Sequence, residues 1–157
     1  MDLILWRHAE AHDALPGESD LERRLTPRGE KQAERVGAWL DRHLPESTRV
    51  LVSPAVRTRQ TADALKRRVR IVDALAPGAT TRQLLTAAHW PDSADPVLLV
   101  GHQPTLGQVA ALLIGGELAQ RAPVWNFRKG AAWWLRWRER HGGAEVVLIA
   151  AMSPDLA

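Results

Sequence analysis

Apolar positions fall in short consecutive runs that alternate with stretches spaced for helices. Asp2-Leu-Ile-Leu-Trp6 is such a run and predicts a strand buried on both faces. Thr26-Pro27 then places an N-cap before a proline suited to the first helical turn, and Ala33, Val36, Leu40 and Leu44 follow at helical spacing. Arg49-Val-Leu-Val52 predicts a second strand, and Ser53-Pro54 repeats the cap-then-proline signal for a helix reaching about Arg68. Val69 to Val72 predicts a third strand. Thr80 to Trp90 predicts a helix with Leu84, Leu85 and Ala88 on one side. Pro96-Val-Leu-Leu-Val100 is the clearest buried strand, followed by an apolar helix from Pro104 to Ile114 that Gly115-Gly116 should end.

The last third changes pattern. From Ala131 to Arg138, Trp133, Leu135 and Trp137 alternate with Trp134, Arg136 and Arg138; Gly142-Gly143 then suggests a turn, and Glu145 to Ala150 a further apolar strand. This is a β-hairpin signal with Trp134, Arg136 and Arg138 on an outer, solvated face. Strand–helix alternation closed by a hairpin predicts an α/β three-layer sandwich. Its sheet should be mostly parallel, with helices on both faces and antiparallel pairing near the C-terminus. The length of 157 residues suits a single domain spanning 1–157.

Composition removes several classes of chemistry. The chain has no cysteine, hence no disulfide framework, thiol nucleophile or thiolate metal site. The apolar start stops at Arg7 without a basic leader, and the longest apolar run, Val146 to Met152, is too short to span a bilayer. A cytoplasmic location and no membrane association are the expectation. The formal net charge is only +3, and the high pI of 10.1 reflects a chain without Tyr or Cys to titrate below Lys.

Ligands of open α/β sheets bind beyond the carboxyl ends of the strands. Arg7-His8 follow the first strand, Ser53 to Arg57 the second, and Gly101-His102 the fourth. Two guanidiniums and two imidazoles should therefore meet at one sheet edge. Arg57 and His102 also lie beside helix N-termini, where free N–H groups favour an anion. Such a set suits a phosphoryl group. No carboxylate cluster for Mg²⁺ and no G-x-x-x-x-G-K-[ST] loop accompanies it, so neither a metal nor a nucleotide cofactor is expected.

Leu5-Trp6-Arg7-His8-Ala9 resembles the RHG motif of the histidine phosphatase superfamily, with Ala9 where glycine is usual. Ser53-Pro54-Ala-Val-Arg57-Thr-Arg-Gln60-Thr61 resembles its S-P-x-x-R-x-x-Q-T segment, and Leu99-Val-Gly-His102-Gln-Pro104 the stretch holding its second histidine. With the short length and Arg23-Arg24-Leu25-Thr26-Pro-Arg-Gly29, the chain looks like the small SixA-type phosphohistidine phosphatases. The resemblance implies a metal-independent phosphatase with His8 as nucleophile, passing through a covalent phosphohistidine. Arg7, Arg57 and His102 would stabilise the transferring group, and Arg23 would face the substrate. The family's usual acid has no unambiguous match. Glu10 is the candidate carried forward, with Asp20 and Asp73 behind it. An imidazole leaves more readily than an alkoxide, so a missing acid favours phosphohistidine on a protein as substrate. With so short a chain there is little room for a lid domain, which points the same way. The site is expected in a monomer.

Three other readings compete. The substrate could be a small phosphorylated metabolite. The chain could be a phosphate-binding module without turnover, against which the intact Arg7, His8, Arg57 and His102 set speaks. Trp134, Arg136 and Arg138 could stack and grip a nucleic acid, or dock a protein, although a packed and a solvated face explain the alternation without a nucleic-acid partner. His8 and His12 sit four apart with Glu10 between, but His8 ends a strand rather than lying on a helix, so a shared metal is not expected. His43, His89 and His141 read as solvated.

Overall fold

A computed structural model describes residues 1–119, 125–140 and 142–157. The strands are β1 (Asp2–Arg7), β2 (Arg49–Val52), β3 (Val69–Ile71), β4 (Val97–Gly101), β5 (Ala132–Arg140) and β6 (Gly143–Met152). They form one sheet in the order β3-β2-β4-β1-β5-β6. The first four are mutually parallel, and the β5–β6 hairpin joins antiparallel alongside β1. Helices α1 (Pro27–His43) and α2 (Val56–Asp63) cover one face; α3 (Thr81–Ala88) and α4 (Thr105–Ala119) cover the other. The predicted three-layer architecture is thus the observed one.

Strand alternation decides which layer each side chain feeds. Leu3 and Leu5 pack with Leu99 against Leu84 of α3 and Leu106, Val109 and Ala110 of α4. Ile4 and Trp6 pack with Val50, Val52 and Leu98 against Val36 and Leu40 of α1 and Ala62 of α2. Each fully buried side chain of this kind stabilises the fold by roughly 1.5–3 kcal/mol. That alternation corrects the expectation for Trp134. The residue is buried in the α1–α2 layer, and its indole N–H donates to Asp2 Oδ2 at 3.0 Å. Its face of the sheet is covered by helices, so the ring cannot stack a base; only farther out does the same face open, where Arg136 is exposed and paired with Asp2.

Helix ends also depart from expectation in places. Thr26 and Thr80 cap α1 and α3 as their sequence signals imply, each accepting a backbone N–H. Ser53 does not cap α2. Its hydroxyl hydrogen-bonds His102 instead, Ala55 becomes the N-cap, and the helix stops at Asp63, short of Arg68, before Lys66 turns left-handed at φ 54°. Likewise α3 ends before Trp90, at His89 with φ 57°. In α4 the glycine pair breaks the helix at Gly116, φ 73°, without ending it.

The start of α4 holds the Trp125–Phe127 segment by close approach. A Cβ on Gly107 would lie 1.8 Å from Trp125 O, the same carbonyl that accepts from Gln103 Nε2 at 2.9 Å. Gly107→Ala is therefore expected to push this segment away, costing about 1–3 kcal/mol. A thermal melt would read that loss, and an unchanged Tm would show that the segment yields freely.

Candidate active site

Four side chains named by the sequence converge at the carboxyl edge of β1, β2 and β4. The His8 and His102 rings lie with centroids 5.3 Å apart. Arg57 NH2 reaches to 3.4 Å from His102 Nδ1, and Ser53 Oγ lies 2.7 Å from His102 Nε2. Arg7 NH1 donates to the carbonyl of Phe127 and lies 3.5 Å from Asn126 Oδ1. His8, Arg57 and His102 are all buried.

Backbone contacts hold His8 in place. Its main-chain N–H donates to Gly101 O on β4 at 3.1 Å, and its carbonyl accepts from Gly130 N at 3.1 Å. The neighbouring Ala9 N–H donates to Thr61 Oγ1 at 3.1 Å, and Gln60 Oε1 accepts from Leu25 N at 2.8 Å. The Gln60-Thr61 pair therefore ties the loops after β1 and before α1 to α2.

These contacts also fix tautomers. His8 Nδ1 faces the carbonyl of Ala9 at 2.7 Å, which only accepts, so Nδ1 carries the proton and Nε2 presents a lone pair. At His102 the Arg57 N–H faces Nδ1, so the proton sits on Nε2 and is donated to Ser53 Oγ. Burial pushes the His8 imidazole down to about 4, helped by Arg57, Arg7 and Arg23 and opposed by the Ala9 carbonyl. Burial, then His8 and Arg57, push His102 down to about 3, with Asp20 opposing. Both rings are neutral at physiological pH. Burial also lowers the Arg7 guanidinium from its ordinary value.

This pair gives stability a pH dependence of known sign. In the unfolded chain both imidazoles take up protons below about 6.5. In the folded chain they stay neutral down to about 4 and about 3. The unfolded state then binds more protons in that window, so stability falls as pH drops through it. Tm is expected to decline from the ordinary histidine value downward, and His8→Ala/His102→Ala should flatten that decline. An equally steep decline in the double variant would mean that other groups carry the effect.

Asp20 joins the group from the short 3-10 turn Asp20–Glu22. Its carboxylate accepts from Arg57 NH2 at 2.9 Å and from Arg23 NH1 at 3.0 Å, and Arg57 NH1 also donates to its carbonyl. The hydrogen bond from Arg23, then that from Arg57, hold its carboxyl below the usual range. Arg23 also donates from Nε to His12 O at 2.7 Å, so it stands at the edge of the cluster. Glu10 is not brought in. Its carboxylate accepts from the capping hydroxyl of Thr26 at 2.9 Å and faces Arg28 at 3.7 Å, which is a helix-terminus role. Asp73 lies in a second 3-10 turn, Asp73–Leu75. His43 and His89 are exposed, and His141 lies outside the described residues.

Sequence reasoning did not single out Ser53, Asn126 or the Phe127 carbonyl. Only Ser53 had a signal, as the residue that follows β2 beside the cluster. Among the described residues no group of three His, Asp or Glu side chains is placed to hold a metal ion, and no helix is long and apolar enough to cross a membrane.

Cations and neutral imidazoles gathered at the carboxyl edge of an α/β sheet make a site suited to binding an oxyanion. Comparison with known proteins defines it further. Residues 3–77 match the profile of the histidine phosphatase superfamily (branch 1). The phosphohistidine phosphatase SixA of Escherichia coli K12 is 30% identical over 127 residues, 74% of this chain and 76% of the relative. A solved chain from Nakamurella multipartitia, provisionally named a SixA phosphohistidine phosphatase, is 33% identical with TM-score 0.76 and covers 98% of this chain and 95% of its own. The protein histidine phosphatase SixA complexed with tungstate is 25% identical with TM-score 0.75 over 99% and 98% of the two chains. The chain belongs to the histidine phosphatase superfamily, and it is a phosphatase similar to the SixA type.

Proposed function

We propose that the chain removes phosphate from phosphohistidine on a protein, through a covalent intermediate on His8. The observation that carries this reading is the neutral His8 imidazole, its Nδ1 proton held by the Ala9 carbonyl and its Nε2 free, beside Arg7, Arg57 and His102. A neutral ring is already nucleophilic and needs no base. In the first step Nε2 attacks phosphorus in line, the N–P bond of the substrate breaks, and its electron pair returns to the substrate imidazole. That ring departs neutral when its second nitrogen already bears a proton. The enzyme then need supply no acid, consistent with Glu10 being bound to Thr26 and Asp20 being ionised. Water next attacks phosphorus, the bond to Nε2 breaks, and both protons of the water leave on inorganic phosphate.

Arg7 and Arg57 offer positive charge and hydrogen bonds to the equatorial oxygens as their charge spreads, and the neutral His102 ring, held between Ser53 and Arg57, lines the same site. The Nε atoms of Arg7 and Arg57 are buried without a hydrogen-bond partner among the described residues. Asp20 occupies Arg57 in the free protein, and an arriving phosphoryl group takes its place. Arg23 then contacts the outer part of the substrate.

A panel of free phosphohistidine, a histidine-phosphorylated protein, a phosphoserine peptide and sugar phosphates tests the reading. The highest kcat/KM is expected for the phosphorylated protein. Preference for a sugar phosphate would make a small metabolite the substrate.

A further inference from the structure

A positively charged shelf that takes no part in the chemistry lies beside the turn that holds His8. A cavity of about 220 Å³ is lined by Arg28, Arg128 and Lys129 together with Glu10 and Asp155. An adjoining cavity of about 190 Å³ adds Lys31 and Arg35. Arg28, Lys31 and Arg35 form one stripe along α1, at i, i+3 and i+7. All five cations are exposed. The two carboxylates are already engaged, Glu10 with Thr26 and Arg28, and Asp155 with Arg128 at 2.7 Å. Five cations against two carboxylates leave an excess of three, equal to the formal net charge of the whole chain.

The shelf adjoins His8 through the backbone. Glu10 lies two residues beyond His8, and Gly130, which follows Lys129, donates its N–H to the His8 carbonyl at 3.1 Å. A Cβ on Gly130 would lie 3.0 Å from Pro154 Cγ and 3.3 Å from Gln32 Cβ, so α1 and the residues after β6 meet at this turn. The shelf thus borders the turn that holds His8. A few extended residues, at about 3.3 Å each, are enough to cross it.

We propose that this basic shelf docks an acidic surface flanking the phosphohistidine of the protein substrate. The proposal rests on the reading that the substrate is protein-bound phosphohistidine. Charges at such a rim act mainly on encounter: they steer a partner of opposite sign and weaken as salt screens them.

Two synthetic peptides with a central phosphohistidine, one flanked by glutamates and one by glutamines, test it alongside free phosphohistidine. At low salt, kcat/KM is expected to favour the glutamate peptide by about 10-fold or more, an advantage that fades on adding salt. Arg28→Glu/Lys129→Glu should abolish that preference and leave free phosphohistidine unchanged. Arg68→Glu/Arg70→Glu makes the same change in net charge at exposed positions by the β3 edge and should keep the preference. Equal rates on the two peptides with the unaltered protein, or the same loss in both double variants, would overturn the proposal. Turnover of free phosphohistidine separates that failure from one of the functional reading. If no phosphohistidine substrate is hydrolysed, the reading falls and the docking proposal falls with it.

Discussion

His8→Ala is expected to lower turnover by about 10⁴-fold or more, the scale of losing a nucleophile rather than a binding contact. The neighbouring cations stay in place, because His8 is held by backbone bonds to Gly101 and Gly130 that alanine retains. The variant should thus still bind phosphate or vanadate weakly. Labelled substrate mixed with the unaltered protein and quenched should leave phosphate on the chain, stable in alkali and labile in acid, as an N–P bond is. The label should be absent from His8→Ala and present in His102→Ala, which keeps the nucleophile. An alkali-labile label, or full activity in His8→Ala, would reject covalent catalysis at His8.

Arg57→Ala is the second large expected effect, with a different signature. Arg57 is only 3% exposed, and its guanidinium reaches His102 and holds Asp20. Removing one preorganised donor to a transition-state oxyanion lowers kcat by about 10²–10³-fold. Here KM should rise as well, because the charge serves bound substrate and transition state alike. Arg57→Lys should recover little, since a lysine ammonium cannot present the paired N–H groups of a guanidinium. Steady-state kinetics beside a melting curve separate this from unfolding. A variant with normal kcat and raised KM would place Arg57 in binding alone.

The parts of the site legible in the sequence are those attached to strand ends. Buried runs such as Val97–Gly101 announce themselves by composition, and the residue after each is committed to the sheet edge, so Arg7, His8 and His102 could be placed before any coordinates. What depends on a choice between partners was not legible. Ser53 has the chemistry of a helix cap, yet its hydroxyl serves His102, because the histidine that comes to lie beside it is 49 positions away in the chain. Asp20 is one surface carboxylate among many until the fold brings Arg57 to it across 37 positions. Trp134 shows the same limit in the sheet. Alternation separated its face from that of Trp133, but solvent or helix above that face was decided by α1, more than ninety residues earlier.

The position of β1 within the sheet governs when this site can exist at all. The strand that carries Arg7 and His8 is central, flanked by β4 and β5. Trp6 Nε1 donates to Gly130 O at 2.9 Å, 124 positions along the chain. During synthesis β1 emerges first and has no neighbour to pair with until β4 and then β5 have followed. Such long-range closures slow folding relative to local ones. The apolar run Leu3-Ile-Leu-Trp6 accordingly has no strand to pair with until β4 has been made, and His8 and His102 cannot meet before then.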